Sequence, residues 1–121
     1  MSQVTTRLMD GAAVSERLLA DVARRSQRFL ETAGRRPCLA AVLVGQGPAS
    51  VTYVKMKRRR CEKTGIDSRL VELPAATSTS EAVSAVRRLS EDPGVDGILV
   101  QHPVPPQVDP FMTHDATIVN P

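Results

Sequence analysis

The sequence has no tryptophan, two phenylalanines and one tyrosine in 121 residues. Its core must therefore be built from Val, Leu, Ile and Ala, the residue set common between helices and a parallel sheet. Cysteine is equally sparse. Cys38 and Cys61 lie far apart and form no C-x-x-C pair. That excludes a disulfide scaffold, leaves a zinc site short of ligands and reads as two reduced core thiols. His102 and His114 have no obvious third ligand, so no metal is expected. No apolar run approaches the roughly 20 residues of a membrane helix. The opening "MSQVTTRLMDGAAV" lacks the apolar centre of a signal peptide. These absences point to a soluble, cytoplasmic protein with no membrane partner.

What is present is ordinary for a globular chain: 41% hydrophobic and 24% charged residues, enough length for one domain with one core. The net charge of +3 leans toward anionic partners.

The pattern along the chain alternates helix and strand. From Asp10-Gly11, the residues Val14, Leu18, Leu19, Val22, Phe29 and Leu30 recur at helical spacing. Gly34 ends this helix and Pro37 prevents its return. "CLAAVLVG", 38–45, is short and continuously apolar, which predicts a strand covered on both faces. "GQGPAS", 45–50, turns the chain into a helix over about 49–64, stopped by Gly65. "SRLVELP", 68–74, is a second strand. A helix follows within 76–92, with Thr79 as the expected N-cap. "VDGILVQ", 95–101, is a third buried strand. The proline-rich "HPVPPQVDP" then forces an extended path with few backbone donors. A short helix is expected over 111–121. The order implies an α/β fold, a three-layer domain with a small parallel sheet flanked by helices.

In open parallel sheets, ligands bind beyond the carboxyl ends of the strands. Gly45–Ser50, Leu73–Thr77 and Gln101–Pro106 sit there. The helix that starts from the first of these carries "YVKMKRRRC", 53–61. Tyr53 and Lys57 are one turn apart on one face. A lysine beside a phenol and partly screened from water can move protons or polarise a leaving nitrogen. Spacing alone fits an ordinary exposed lysine and a half-buried tyrosine better. Y-x-x-x-K also suits a short-chain dehydrogenase, but no G-x-G-x-x-G precedes it.

On a helical wheel, Lys55, Arg59 and Lys63 project outward, while Arg58 borders the stripe Val51–Val54–Cys61. The cations scatter and no aromatics interleave with them, which argues against nucleic acid and for a solvated face. Gln101 offers donors and an acceptor at the end of a strand, suited either to a heterocycle edge or to satisfying its own loop. Asp109 and Asp115 read as solvated or capping residues.

Four blocks together, "LMDG" at 8–11, "LAAVLVGQGPAS" at 39–50, "YVKMKRRRCEKTGI" at 53–66 and "GILVQHPVP" at 97–105, resemble the bifunctional methylenetetrahydrofolate dehydrogenase/methenyltetrahydrofolate cyclohydrolase family. The likeness covers nearly the whole chain and corresponds to that family's N-terminal catalytic domain, residues 1–121. It implies one-carbon chemistry on tetrahydrofolate, NADP as the dehydrogenase cofactor and a place in purine biosynthesis. By the same resemblance Lys57 is the catalytic lysine and Tyr53 packs against the folate. Gln101 holds the folate and meets the lysine, and Ser50 borders the cleft. Val100 and Pro103–Pro105 form the wall under the pterin.

The chain departs from the family at His102 and Val104, where leucine is usual, and at Arg60, where a small residue is common. The family's D-V-D-G aspartate and its nucleotide-binding Rossmann domain are not matched within the chain. The resemblance therefore implies a second chain or domain as partner for the hydride step. The family's homodimer contacts do not carry over. The alternative is a truncated, non-catalytic folate-binding domain.

Overall fold

A computed structural model describes residues 11–109. Their elements are α1 (Gly11–Ala33), β1 (Cys38–Val44), α2 (Pro48–Thr64), β2 (Asp67–Leu73), α3 (Thr79–Ser90) and β3 (Gly97–Val100). Residues 8–10 of the first family-like block, the helix expected over 111–121, His114 and Asp115 lie outside the described residues. No described helix is long and apolar enough to cross a membrane.

The three strands form one parallel sheet in the order β2-β1-β3. Val42 of β1 stands level with Val71 of β2 and with Val100 of β3. The pleat sends alternate side chains of β1 to opposite faces. Ala40, Val42 and Val44 pack with Ala82, Val86 and Leu89 of α3 and with Val108. Ala41 and Leu43 pack with Val54 of α2, supported by Val51 and Leu70. The expected α/β, three-layer arrangement is thus present, with β1 as its covered central strand. Small residues keep the layers close: Ala40, Ala41 and Ala82 are at most 2% exposed.

Two glycines carry the chain between layers. Gly65 follows α2 with φ of 79°, the left-handed region that a side chain would strain, and its N–H meets the last helical carbonyls. Gly45 leaves β1 with φ of 77°, and a Cβ there would lie 3.3 Å from that of Ala75.

Three expectations change in detail. The cap of α3 is Ser78 rather than Thr79: the Ser78 side chain accepts from the Glu81 N–H while Glu81 reaches back to the Ser78 backbone. The third strand spans four residues, all half-buried, rather than a buried 95–101. Among the described residues it is an edge strand, paired with β1 alone. Finally, the apolar positions of α1 do not reach the sheet core. Leu18 is 60% exposed, and the buried residue of this helix is Ser26, against Gly65 at the end of α2. α1 rests on α2, so its apolar stripe is only partly covered.

The amino-terminal edge of the sheet is pinned by charge. Asp96 accepts a two-pronged bond from Arg35 at 2.8 and 2.9 Å and the N–H of Cys38 at 2.8 Å. Arg69 donates to Asp92 at 2.8 Å, and Asp92 also accepts from the Gly94 N–H. The Arg35 bond holds the Asp96 carboxyl below its ordinary 3.8, and the Arg69 bond does the same for Asp92.

Two outcomes follow. Ser78→Ala should lower stability in urea by about 1 kcal/mol, the usual loss of an N-cap. A neutral result would deny the capping box. Depressed carboxyl pKa values mean that the folded chain binds fewer protons than the unfolded one. The stability from these pairs is complete above an ordinary carboxyl pKa and is lost as pH falls below about 4. Acid titration of Asp96→Asn should show a shallower fall over that range than the parent protein.

Candidate functional site

All three strands are parallel, so their carboxyl ends open on one edge. There β1 leads into Gly45–Ser50, β2 into Leu73–Thr77 and β3 into Gln101–Pro106. α2 springs directly from the first of these turns. Gly47 precedes it without a side-chain cap, and Pro48 occupies its first turn, where a missing N–H is harmless.

The fold brings Lys57 and Gln101, 44 residues apart, into a hydrogen bond: Lys57 Nζ donates to Gln101 Oε1 at 2.8 Å. Gln101 is 6% exposed, and its backbone N–H and both side-chain polar atoms have partners. Its backbone N–H donates to Val42 O at 2.9 Å, extending the β1–β3 ladder by one residue. Its Nε2 donates to the His102 carbonyl at 2.7 Å. That second bond turns Oε1 toward the lysine. An ammonium has three donors, so among the described residues the Gln101 contact leaves two of them for a ligand.

Ser50 is 2% exposed and lies one turn before Tyr53. Its Oγ donates to the Pro103 carbonyl at 3.4 Å, tying the start of α2 to the proline-rich loop. The His102–Pro103 peptide is cis. Tyr53 stands four residues before Lys57 on the same helix, with half its surface open to solvent. Met56, 44% exposed, stands beside it, so this flank offers apolar surface near the lysine.

Val100 does not join this group. With Ile98 and Val104 it packs into the cluster on the α3 side of the sheet, whereas α2 covers the other side. The strand pleat decides this: consecutive residues of β3 face opposite ways, and Gln101 takes the α2 side. Of the residues singled out from sequence, Ser50 bonds Pro103 and Lys57 bonds Gln101, and the Gln101 side chain bonds His102, the residue before Pro103. Tyr53 borders them and Val100 lies across the sheet.

The other cations of the basic run diverge. Lys55, Arg59, Arg60 and Lys63 are exposed, while Arg58 donates through Nε to Ser68 of β2 at 3.1 Å. One turn beyond Lys57, burial pushes the Cys61 thiol up from its ordinary value. A depression of about 250 Å³ lined by Leu73, Thr77, Glu81, Ser84 and Arg88 sits on the α3 face, apart from the lysine. Sequence reasoning does not single out Gln107, and it reads Thr79 as a cap. The structure places both on the proline-rich loop's anchor. A polar residue between Pro106 and Val108, where few backbone donors exist, was the available signal.

Comparison with known proteins is consistent across sequence and structure. Residues 9–117 match the family model described as tetrahydrofolate dehydrogenase/cyclohydrolase, catalytic domain. The bifunctional protein FolD 1 of Salinispora arenicola is 51% identical over 113 residues, which is 93% of this chain and 40% of that protein. FolD 1 of Streptomyces avermitilis is 50% identical over 87% of this chain and 37% of its own length. The chain thus spans about two fifths of these curated relatives. Among solved structures, the Campylobacter jejuni FolD methylenetetrahydrofolate dehydrogenase/cyclohydrolase superposes with a TM-score of 0.84 at 37% identity, over 90% of this chain and 38% of that one. The Trypanosoma brucei methylenetetrahydrofolate dehydrogenase-cyclohydrolase, solved with NADP and an inhibitor, gives 0.82 at 29% identity, over 92% and 38%.

The Lys57–Gln101 bond is testable without any ligand. A double-mutant cycle of Lys57→Met and Gln101→Leu in urea should give a coupling of about 1 kcal/mol, modest because the lysine is half exposed. Strictly additive losses would mean that the bond does not form in solution.

Proposed function

The chain belongs to the tetrahydrofolate dehydrogenase/cyclohydrolase family, and from that premise we propose that it binds a reduced folate at the carboxyl edge of its sheet and uses Lys57 to hydrolyse the methenyl form. The observation that carries the reading is the 2.8 Å bond by which buried Gln101 fixes Lys57 Nζ at that edge.

In this mechanism water adds to the methenyl carbon and loses a proton. The hydroxyl of this adduct then gives up its remaining proton to form the formyl C=O as the bond from that carbon to one ring nitrogen breaks, and the nitrogen takes up one proton. The products are formyl-tetrahydrofolate and one proton released to solvent. Lys57 is the group that moves the proton between the attacking water and the leaving nitrogen. Gln101 holds its Nζ in place, so the transfer needs little reorganisation. Tyr53 lends a flat ring on the same helix face for the aromatic part of the folate. Ser50 and Pro103 keep the helix and the loop at a fixed separation.

The companion reaction, interconversion of methylene- and methenyl-tetrahydrofolate, passes a hydride to NADP in the proposal. The described residues do not fit that dinucleotide. The turn after β1 is Gly45-Gln46-Gly47-Pro48, without a third glycine, and Pro48 has no N–H to offer a diphosphate. Residues of a second domain or chain would have to hold the cofactor. In this reading the protein works in the cytoplasm, in the one-carbon supply to purine biosynthesis.

The test is methenyl-tetrahydrofolate hydrolysis followed by absorbance, with this chain alone and mixed with chains that supply a second domain. Lys57→Met should lower the rate at least about 10²-fold, the lower end of general acid–base contributions. An unchanged rate would contradict the proposed chemistry. Folate binding without turnover in every mixture would leave a binding domain instead.

A further inference from the structure

The proline-rich loop is held at its far end by contacts that the proposed chemistry does not use. Gln107 Nε2 donates to the carbonyls of Ala75 at 2.6 Å and Thr77 at 3.0 Å, both in the β2–α3 turn. Thr79 Oγ1 donates to Gln107 O at 2.9 Å and accepts the Asp109 N–H at 2.9 Å. Between these bonds Val108, 2% exposed, plugs into the α3-side core. Its N–H closes a turn on Pro105 O at 3.0 Å.

Side chains carry this anchorage for a plain reason. Pro103, Pro105 and Pro106 have no N–H, so the loop has few backbone donors with which to fasten itself. The turn it fastens to is already rigid. Thr77 N bonds Pro74 O, and the capping box at Ser78 fixes the first turn of α3. The Thr79 hydroxyl is committed to the loop, which fits its position just inside the helix rather than at the cap.

We propose that Thr79 and Gln107 form a latch that positions the Lys57 site through the loop. The link is physical at each step. The latch fixes the course of the loop from Gln107 back to Pro103, where Ser50 holds the nearer end. The loop sets the direction of the His102 carbonyl. That carbonyl accepts the hydrogen bond from Gln101 Nε2, and so decides which way Oε1 faces. Oε1 holds Lys57. Thr79 and Gln107 are positioning residues, since they touch neither the lysine nor the expected folate. The inference rests on the folate reading for its functional consequence and on geometry alone for its structural one.

The experiment compares Thr79→Val, close in shape but without the hydroxyl, with Thr79→Ser, which keeps it. Gln107→Glu, which sets a carboxylate against two carbonyls, is the independent second variant. Three quantities are read: the Gln101 side-chain amide signals by ¹⁵N NMR, the affinity for 5-formyltetrahydrofolate by calorimetry, and the urea midpoint. Thr79→Val and Gln107→Glu should move the Gln101 signals and weaken binding roughly tenfold, the effect of about one or two lost hydrogen bonds. Thr79→Ser should restore both. A lower urea midpoint with the Gln101 signals and affinity unchanged would overturn the latch and leave a purely structural contact. If the parent protein binds no folate, the folate reading falls, and the Gln101 signals alone decide the latch.

Discussion

Burial of β1 on both faces is the constraint on which everything else rests. Ala40 and Val42 are wholly inaccessible, and Ala41, Leu43 and Val44 nearly so. A strand with no solvent face has no register freedom, because a one-residue slip would exchange the two packing layers. Alternate side chains of this one strand therefore fix α2 on one side and α3 on the other. Few large groups are available, so the fit depends on Val and Ala and on close approach between layers.

Rigid placement of α2 is what gives the site its geometry. The helix leaves the end of β1, and Gln101 leaves the end of β3, the adjacent strand. Parallel pairing brings both to one edge, where the lysine meets its acceptor. The ion pairs Arg35–Asp96 and Arg69–Asp92 hold the opposite edge. Charge thus pins one end of the sheet while the other presents a partly open lysine, an exposed tyrosine and a loop held by side chains.

Much of this could be read from the residues. The unbroken run "CLAAVLVG" announced a strand covered twice, and Gly65 marked the end of α2 within a residue. What escaped depends on neighbours that a local pattern does not contain. The same apolar signature serves a central strand and an edge strand, so β3 was expected to be longer and more buried. Ser78 and Thr79 both suit an N-cap, and the loop 28 residues further on claims the Thr79 hydroxyl. The pairing of Lys57 with Gln101 has no local signature at all. Spacing placed Tyr53 near the lysine and position marked Gln101, but only family resemblance paired the glutamine with the lysine. Val100, assigned by that resemblance to a pterin wall, faces the α3 layer, a direction fixed by the pleat rather than by residue type.

The central claim is that the carboxyl edge beside Lys57 is where a reduced folate sits. Backbone amide shifts of the ¹⁵N-labelled chain, titrated with 5,10-methenyltetrahydrofolate, test it most directly. The account predicts saturable changes confined to Gly45–Ser50, the first turns of α2 through Lys57, and Gln101–Pro106. Changes centred on α3 and its 250 Å³ depression, or none at saturating ligand, would contradict it.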